Sequence, residues 1–134
     1  MLKHYFVSLV LMFGLITPIV LLAGEHTTDS LETVKQNLAA KKAVLLDVRE
    51  QNEWKKGHLK DAKLLPLSQL EEGLKPGELD KLAPKGTIIY THCLSGARCV
   101  EAAKILREAG RDVRPLKAGY PALVKAGFPP AERK

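Results

Sequence analysis

Short apolar runs alternate with helix-like segments along most of this 134-residue chain. The runs are rich in aliphatic and β-branched residues and end at turn residues, which is typical of buried strands. We predict strands at residues 43–46, 62–65, 87–91 and 112–116. We predict a first helix that begins at Leu31, a short helix from Ser68 to Gly73, and another short helix that ends at Leu82. Two further helices are predicted at residues 97–109 and 120–126. This alternation predicts an α/β fold with a mostly parallel central sheet and helices on both faces.

Two pairs of polar residues predict where helices start. Asp29 stands three residues before Glu32, and Ser68 stands three residues before Glu71. This is the spacing of a capping box, so we expect Asp29 and Ser68 to cap their helices. The charged stretch at residues 49–58 carries no such signal, and we predict a loop with one helical turn there.

The first 24 residues differ from the rest in charge. Lys3 precedes 19 residues, from Tyr5 to Ala23, that carry no charged side chain, which is the pattern of a secretory signal. A segment of this length can also just span a bilayer, so an uncleaved anchor is the alternative. We predict a signal peptide or anchor at residues 1–24 and one domain at residues 25–134, located in the periplasm or secreted. Contact with a membrane would then involve only the N-terminal segment.

Composition excludes several classes of protein. A content of 46% hydrophobic residues excludes a disordered chain, and two cysteines exclude a disulfide scaffold. The net charge of +6 is spread over interspersed residues without a dense basic run, so we predict no nucleic-acid partner. Such a balance suits a small anionic substrate. The cysteine and histidine spacings are not those of a metal site, and we predict neither a metal nor another cofactor.

Reactive chemistry is predicted where the third strand joins the long helix. The sequence there is Cys-Leu-Ser-Gly-Ala-Arg, from Cys93 to Arg98. Backbone N–H groups in such a turn, together with the N-terminus of a helix, bind anions and depress the pKa of a cysteine thiol. An arginine in the first turn of a helix is unfavourable because its charge opposes the helix dipole. Arg98 is therefore better explained if its guanidinium binds an anion. The alternative is a surface arginine beside a buried structural cysteine.

Several separate motifs stand in order along the chain. They are Leu46-Asp47-Val48-Arg49 with Glu53-Trp54, Gly57-His58-Leu59-Lys60-Asp61-Ala62 with Leu65-Pro66, the segment from Cys93 to Arg98, and Ala118-Gly119-Tyr120. Together they resemble the single-domain rhodanese-like (thiosulfate sulfurtransferase) family. Ala118 departs from the family, in which a second glycine is common. The resemblance implies a rhodanese-like three-layer sandwich with a mostly parallel sheet between helices.

The resemblance also implies an activity. Cys93 would take the outer sulfur of thiosulfate or a similar anionic donor as a persulfide, and a thiol, cyanide or a partner protein's thiol would remove it. The backbone amides of Leu94, Ser95, Gly96, Ala97 and Arg98 would hold the charged sulfur, and Arg98 would bind the donor's sulfonate. Asp47, Arg49, Glu53 and His58 are expected to brace the loops as ion-pair and hydrogen-bond partners.

Loop length separates the two reactions that the family resemblance permits. Relatives that act on phosphate have five residues between the cysteine and the arginine, whereas four residues separate Cys93 from Arg98. The tighter ring fits a single sulfur atom better than a phosphoryl group. We therefore predict sulfur transfer and not phosphate-ester hydrolysis.

Two other functions remain open at this point. Rhodanese-like domains also occur as non-catalytic binding modules, and a thiol-redox protein could use Cys93 with Cys99. Cys99 is expected to be a buried core residue, because it shares a helix face with Ala102, Ala103 and Leu106. His92 is expected to pack below the loop, since neighbouring strand residues point to opposite faces.

Overall fold

A four-stranded parallel sheet forms the centre of the molecule. The computed structural model describes residues 25–133, so the predicted signal peptide or anchor at residues 1–24 lies outside the described residues. The strands are β1 (Ala43–Asp47), β2 (Ala62–Leu64), β3 (Ile88–His92) and β4 (Val113–Pro115), in the order β2-β1-β3-β4. Each neighbouring pair is parallel. Within residues 25–133, no helix is both long and apolar enough to cross a membrane.

Helices cover both faces of the sheet. They are α1 (Leu31–Ala39), α2 (Gln51–Lys56), α3 (Leu67–Glu72), α4 (Glu78–Leu82), α5 (Arg98–Glu108) and α6 (Tyr120–Lys125). Leu46 and Ile89 point into a core shared with α3, α4 and α5, whereas Leu45 and Tyr90 point into a second core shared with α1 and α6. This alternation follows from the two-residue period of a strand. The three-layer α/β sandwich predicted from the sequence is confirmed.

The two predicted capping residues are wrong. Ser30 is the N-cap of α1, and its Oγ accepts a hydrogen bond from the backbone N–H of Thr33 over 3.1 Å. The Asp29 carboxylate instead accepts hydrogen bonds from the Tyr90 hydroxyl, over 2.6 Å, and from Arg114, over 2.9 Å. Long-range partners therefore took the side chain that the local spacing assigned to the helix.

Helix α3 starts at a different place from the predicted one. Its N-cap is Pro66, and Ser68 lies inside the helix. The Ser68 hydroxyl donates a hydrogen bond over 2.7 Å to the carboxylate of Glu50, which stands just before α2. Ser68 therefore joins the first turn of α3 to the start of α2 instead of capping a helix.

The stretch between β1 and β2, predicted as a loop with one helical turn, contains the six-residue helix α2. Glu50 is its N-cap, and the backbone N–H of Glu50 donates to the Glu53 carboxylate over 2.9 Å. Glutamate is an uncommon N-cap residue, so no clear start signal stands in the sequence. The helix holds Glu53 at the carboxyl end of the sheet.

Candidate active site

Cys93 directly follows the last residue of β3, at the carboxyl edge of the sheet. Its side chain is 0% exposed and belongs to the core between the sheet and α5. The turn before α6 covers it, because the backbone N–H of Tyr120 donates to the carbonyl of Cys93 over 2.9 Å. The open carboxyl ends of parallel strands are where such folds place their sites.

Hydrogen-bond donors converge on the sulfur of Cys93. The backbone N–H of Gly96 lies 3.1 Å from Sγ. The pKa of Cys93 falls from 9.0 to about 5, first because the Cys99 thiol donates to Sγ, and then because the backbone N–H groups of Cys99, Gly96 and Ser95 do so. Burial acts in the opposite direction and is outweighed. Cys93 is therefore a thiolate at neutral pH, as its place in the sequence predicted.

The five residues expected to bind the donor or the persulfide contribute unequally. The backbone N–H of Gly96 donates a hydrogen bond to Sγ. Hydrogen bonding by the backbone N–H groups of Cys99, which the sequence did not indicate, and of Ser95 also lowers the pKa of Cys93. Within the loop, Leu94 is half exposed and Ala97 is the exposed N-cap of α5. Whether Leu94, Ala97 and Arg98 contact a bound sulfur donor stays a prediction.

Cys99 has a second role besides packing. It is fully buried, as predicted, but its thiol also lies 3.2 Å from the carbonyl oxygen of Gly96 and 3.3 Å from that of Leu116. Its hydrogen bond to Cys93, together with burial and the charge of Cys93, raises the pKa of the Cys99 thiol. Side chains in a helix lean toward its N-terminus, so a residue in the first turn of α5 overlies the preceding loop. That rule could have indicated the contact from the sequence.

Arg98 forms a bidentate ion pair with Glu53 of α2. Its two terminal nitrogens donate to the carboxylate over 2.7 Å and 2.8 Å. This hydrogen bonding, helped by the backbone N–H of Glu50, lowers the pKa of Glu53 to about 2 despite partial burial. The pair is partly open to solvent, with 31% of the Arg98 side chain exposed. Glu53 is thus an ion-pair partner, as expected, and it occupies the guanidinium predicted to bind the donor.

A buried ion pair lies below the loop at the ends of β1 and β3. Arg49 donates to the Asp47 carboxylate over 2.8 Å and to the Gly57 carbonyl over 2.8 Å. The strand register places His92 beside Asp47, with Nε2 3.7 Å from the carboxylate. Burial lowers the pKa of His92, so its ring is neutral at neutral pH. These residues brace the strand ends, as predicted for Asp47 and Arg49.

The opening beside Leu94, the residue that follows Cys93, is small and partly basic. It has a volume of about 180 Å³ and is lined by Arg49, Glu53, Lys56, Gly57, Leu94 and Tyr120. Behind it, the rings of Trp54 and His58 stack with centroids 3.6 Å apart, and His58 Nδ1 lies 2.9 Å from the Trp54 carbonyl oxygen. His58 therefore braces the loop after α2, as expected. An opening of this size admits a small anion or the tip of a side chain.

Gly119 allows the turn before α6 to lie against the cysteine loop. A Cβ atom at this position would stand 1.8 Å from the carbonyl oxygen of Leu94. Only glycine permits this approach, and the two backbones close the site on one side. Among residues 25–133, no group of three or more His, Cys, Asp or Glu side chains could hold a metal ion.

Two curated relatives share part of their length with this chain. The uncharacterized protein YqhL of Bacillus subtilis (strain 168) is 37% identical over 81 residues, which is 60% of either chain. The tRNA uridine(34) hydroxylase of Chlamydia muridarum is 33% identical over 101 residues, which is 72% of this chain and 30% of that protein. The chain therefore spans less than two thirds of either relative.

The fold and the sequence agree on one family. The human single-domain sulfurtransferase TSTD1 superposes with a TM-score of 0.61 at 24% identity, over 75% of this chain and 97% of that one, which shows a shared fold. The rhodanese-like domain family matches residues 30–126, from the N-cap of α1 to the C-cap of α6. With the cysteine loop at the carboxyl edge of its parallel sheet, the chain belongs to the rhodanese-like domain family.

Proposed function

We propose that this protein is a sulfurtransferase in which Cys93 carries sulfane sulfur from an anionic donor, such as thiosulfate, to a thiol or cyanide acceptor. The observation that carries the proposal is the set of donors around Sγ, which lowers the pKa of Cys93 to about 5. A buried thiolate that needs no general base is the nucleophile this reaction requires.

The first step transfers sulfur to the protein without moving a proton. The Cys93 thiolate attacks the outer sulfur of thiosulfate, a new S–S bond forms, and the bond to the sulfonate sulfur breaks. Sulfite leaves with the electron pair, and the single negative charge of the protein moves to the outer sulfur of the persulfide. The N–H groups of Ser95, Gly96 and Cys99 then hold a charge that has shifted by one bond length.

The second step returns the thiolate. Cyanide or an acceptor thiolate attacks the outer sulfur and leaves as thiocyanate or a persulfide. The Cys93 Sγ takes the electron pair of the broken S–S bond. The small opening beside Leu94 and Tyr120 admits such acceptors, including a thiol on a flexible segment of a partner protein.

Arg98 is proposed to attract the sulfonate of the donor. In the empty site its guanidinium is paired with Glu53. A sulfonate oxygen can share that guanidinium, because an arginine has five N–H donors and Glu53 engages two of its nitrogens. Lys56 and Arg49 at the same opening further reduce the repulsion between a dianionic donor and the thiolate.

Mass spectrometry of the intact protein tests the assignment. The reduced full chain is incubated with thiosulfate and separated from excess donor. Its intact mass is then measured before and after cyanide is added. We expect a gain of one sulfur atom that cyanide removes as thiocyanate, and no gain in Cys93→Ser. A wild-type chain that gains nothing would support a non-catalytic binding module, and efficient hydrolysis of aryl phosphates would support a phosphatase instead.

Dithiol–disulfide exchange is a second candidate, favoured by the hydrogen bonding of the Cys99 thiol that lowers the pKa of Cys93. Oxidised glutathione would accept two electrons and two protons from the pair and leave a Cys93–Cys99 disulfide. The reduced chain is weighed after this treatment. A loss of two hydrogens faster than thiosulfate loading would favour the redox function.

We also propose that the domain is exported. The support is the uncharged segment from Tyr5 to Ala23 after Lys3, followed by a small residue at position 23 or 24. Fusing residues 1–24 to a reporter that is active only outside the cytoplasm tests this. An inactive reporter would contradict export, and N-terminal sequencing of the product separates a cleaved signal from an anchor.

A further inference from the structure

His26 lies in the extended leader before α1, and its ring reaches the cysteine loop. Its Nε2 is 2.6 Å from the carbonyl oxygen of Gly96, a residue 70 positions away in the chain. The next residue fastens the leader, because the backbone N–H of Thr27 donates to the carbonyl of Pro115 over 2.7 Å. The imidazole is therefore held in place by the backbone next to it.

The chemistry of the contact fixes the direction of the hydrogen bond. A carbonyl oxygen only accepts, so the Nε2–H of His26 donates to Gly96. A buried carbonyl so close to an anion would otherwise be free to turn toward the sulfur, and its partial negative charge would repel a thiolate or persulfide. His26 gives this carbonyl a hydrogen-bond partner.

The residue at position 96 makes such a rotation easy. Gly96 has a φ of 89°, and it lacks the Cβ that would restrict the following peptide. The peptide is planar and trans, so the Ala97 N–H points opposite to the Gly96 carbonyl. A half-turn of this peptide would exchange the positions of the Ala97 N–H and the Gly96 carbonyl oxygen.

Cys99 cannot hold the Gly96 carbonyl by itself. Its thiol lies 3.2 Å from that oxygen but is also the main donor to the Cys93 thiolate. A thiol has one proton, so the carbonyl loses this partner whenever the proton points to Cys93. His26 is the donor that remains.

Building on the proposed sulfur transfer, we propose that His26 is a positioning residue. Its Nε2–H holds the Gly96–Ala97 peptide in the orientation that presents N–H groups, and not a carbonyl, to the persulfide. His26 lies before residue 30, where the match to the rhodanese-like family begins, so this contact comes from the leader. The part of the chain next to the predicted signal or anchor thus completes the site.

The test compares four variants of the full chain. His26→Ala removes the donor, His26→Gln keeps an amide N–H near the position of Nε2, and His26→Asn keeps an amide too short to reach. Thr28→Ala is the control, because Thr28 is an exposed residue of the same leader. The measured quantity is the rate at which Cys93 gains sulfur from thiosulfate.

We expect His26→Ala and His26→Asn to load sulfur on the order of ten-fold more slowly, as for loss of an outer hydrogen bond that orients a site. His26→Gln should recover most of the rate, and Thr28→Ala should match the wild type. Wild-type rates in His26→Ala or in His26→Asn, or a His26→Gln rate as low as that of His26→Asn, would overturn the proposal. If His26→Ala unfolds, the comparison of Gln with Asn still decides.

A second readout separates this proposal from the sulfur-transfer proposal. The amide NMR signals of Gly96 and Ala97 in the reduced protein should move further in His26→Asn than in His26→Gln, because both variants lose the imidazole ring but only Gln keeps the donor. They should stay near their wild-type positions in Thr28→Ala. A wild-type chain that never loads sulfur would refute the proposed function alone, and these signals would then test the positioning role. Unmoved signals in His26→Asn would refute it.

Discussion

The two ends of the parallel sheet hold openings of very different size and chemistry. At the amino ends of β1 and β3 lies a cavity of about 670 Å³, lined by apolar side chains, by Lys35, Lys41 and Lys63, and by Asp61 and Thr87. At the carboxyl ends, the opening beside Leu94 measures about 180 Å³. The smaller opening is the one next to the cysteine loop.

The difference comes from the direction of the backbone dipoles. At the carboxyl end, the turn after β3 and the first turn of α5 aim N–H groups at one sulfur and lower its pKa to about 5. At the amino end, backbone carbonyl groups accept hydrogen bonds from two of the lysines. Lys35 donates to the carbonyl of Ala126 after α6, and Lys63 donates to that of Leu82 at the end of α4, each over 2.7 Å. Convergent donors, and not cavity volume, mark the reactive end.

The largest effect should come from closing the backbone contact at the carboxyl end. Gly119→Ala places a Cβ atom against the Leu94 carbonyl, so the turn must move away from the cysteine loop. We expect a loss on the order of 3 kcal/mol in the free energy of unfolding, typical of an overpacked interior, and loss of sulfur uptake. Denaturant unfolding measures the change in the free energy of unfolding, and the intact mass after thiosulfate treatment measures sulfur uptake.

Gly110→Ala is the matched control for that substitution. Gly110 has a φ of 80° but open space around its missing Cβ. It should cost only about 1 kcal/mol, the usual penalty of a side chain in the left-handed region, and leave sulfur uptake intact. Equal effects of the two substitutions would contradict the steric role of Gly119.

The next effect concerns the Cys99 thiol. Removing its hydrogen bond in Cys99→Ala should raise the pKa of Cys93 by about one unit or more. Cys99→Ser keeps a donor near the Gly96 and Leu116 carbonyls and should shift the pKa less. The pH dependence of the alkylation rate of Cys93 measures this, with its midpoint near 5 in the wild type. An unchanged midpoint in Cys99→Ala would contradict the role of Cys99 as a donor.

The same pKa predicts how stability depends on pH. The folded-state pKa of Cys93 lies below the unfolded value of 9.0, so the thiolate stabilises the fold fully above about pH 9. This contribution is lost progressively as the pH falls to about 5. The difference in the free energy of unfolding between wild type and Cys93→Ser should therefore increase from pH 5 to pH 9 in favour of the wild type. A flat difference would show that Cys93 titrates normally.

A smaller effect is expected at the Arg98–Glu53 pair. Arg98→Ala should slow loading from thiosulfate on the order of ten-fold but affect a neutral sulfur donor less, and Arg98→Lys should recover only part, because it lacks the forked geometry. Glu53→Gln leaves the guanidinium less engaged and should lower the KM for thiosulfate. Equal losses with charged and neutral donors in Arg98→Ala would show that Arg98 only braces α2 against the loop.

The smallest effect should come from the amino end of the sheet. Lys41→Ala and Lys63→Ala change exposed cations of the larger cavity, so sulfur loading should stay within about two-fold of the wild type. The free energy of unfolding should change by about 0.5 kcal/mol or less, as for most surface substitutions. A ten-fold loss of loading in either variant would break the distinction between the two ends.

Local patterns in the sequence were enough to predict the fold class and the strands. Each strand lies within about one residue of its predicted position, because a run of apolar residues bounded by turn residues has few other stable forms. The position of Cys93 between a strand and a helix also follows from this pattern, as does the depressed pKa of its thiol. These features depend on residues that are close together in the chain.

The tertiary structure decided which side chains meet. Asp29 bonds to Tyr90 instead of capping α1, Arg98 is paired with Glu53, and His26 reaches Gly96. The complete burial of Cys93 likewise depends on the turn at Gly119. A short-range pattern cannot rank such partners, because a polar side chain takes whichever partner the packed sheet and helices bring within about 3 Å. The sequence by itself determined the position of the cysteine and the fold that carries it, and the packing of distant segments determined the groups that surround it.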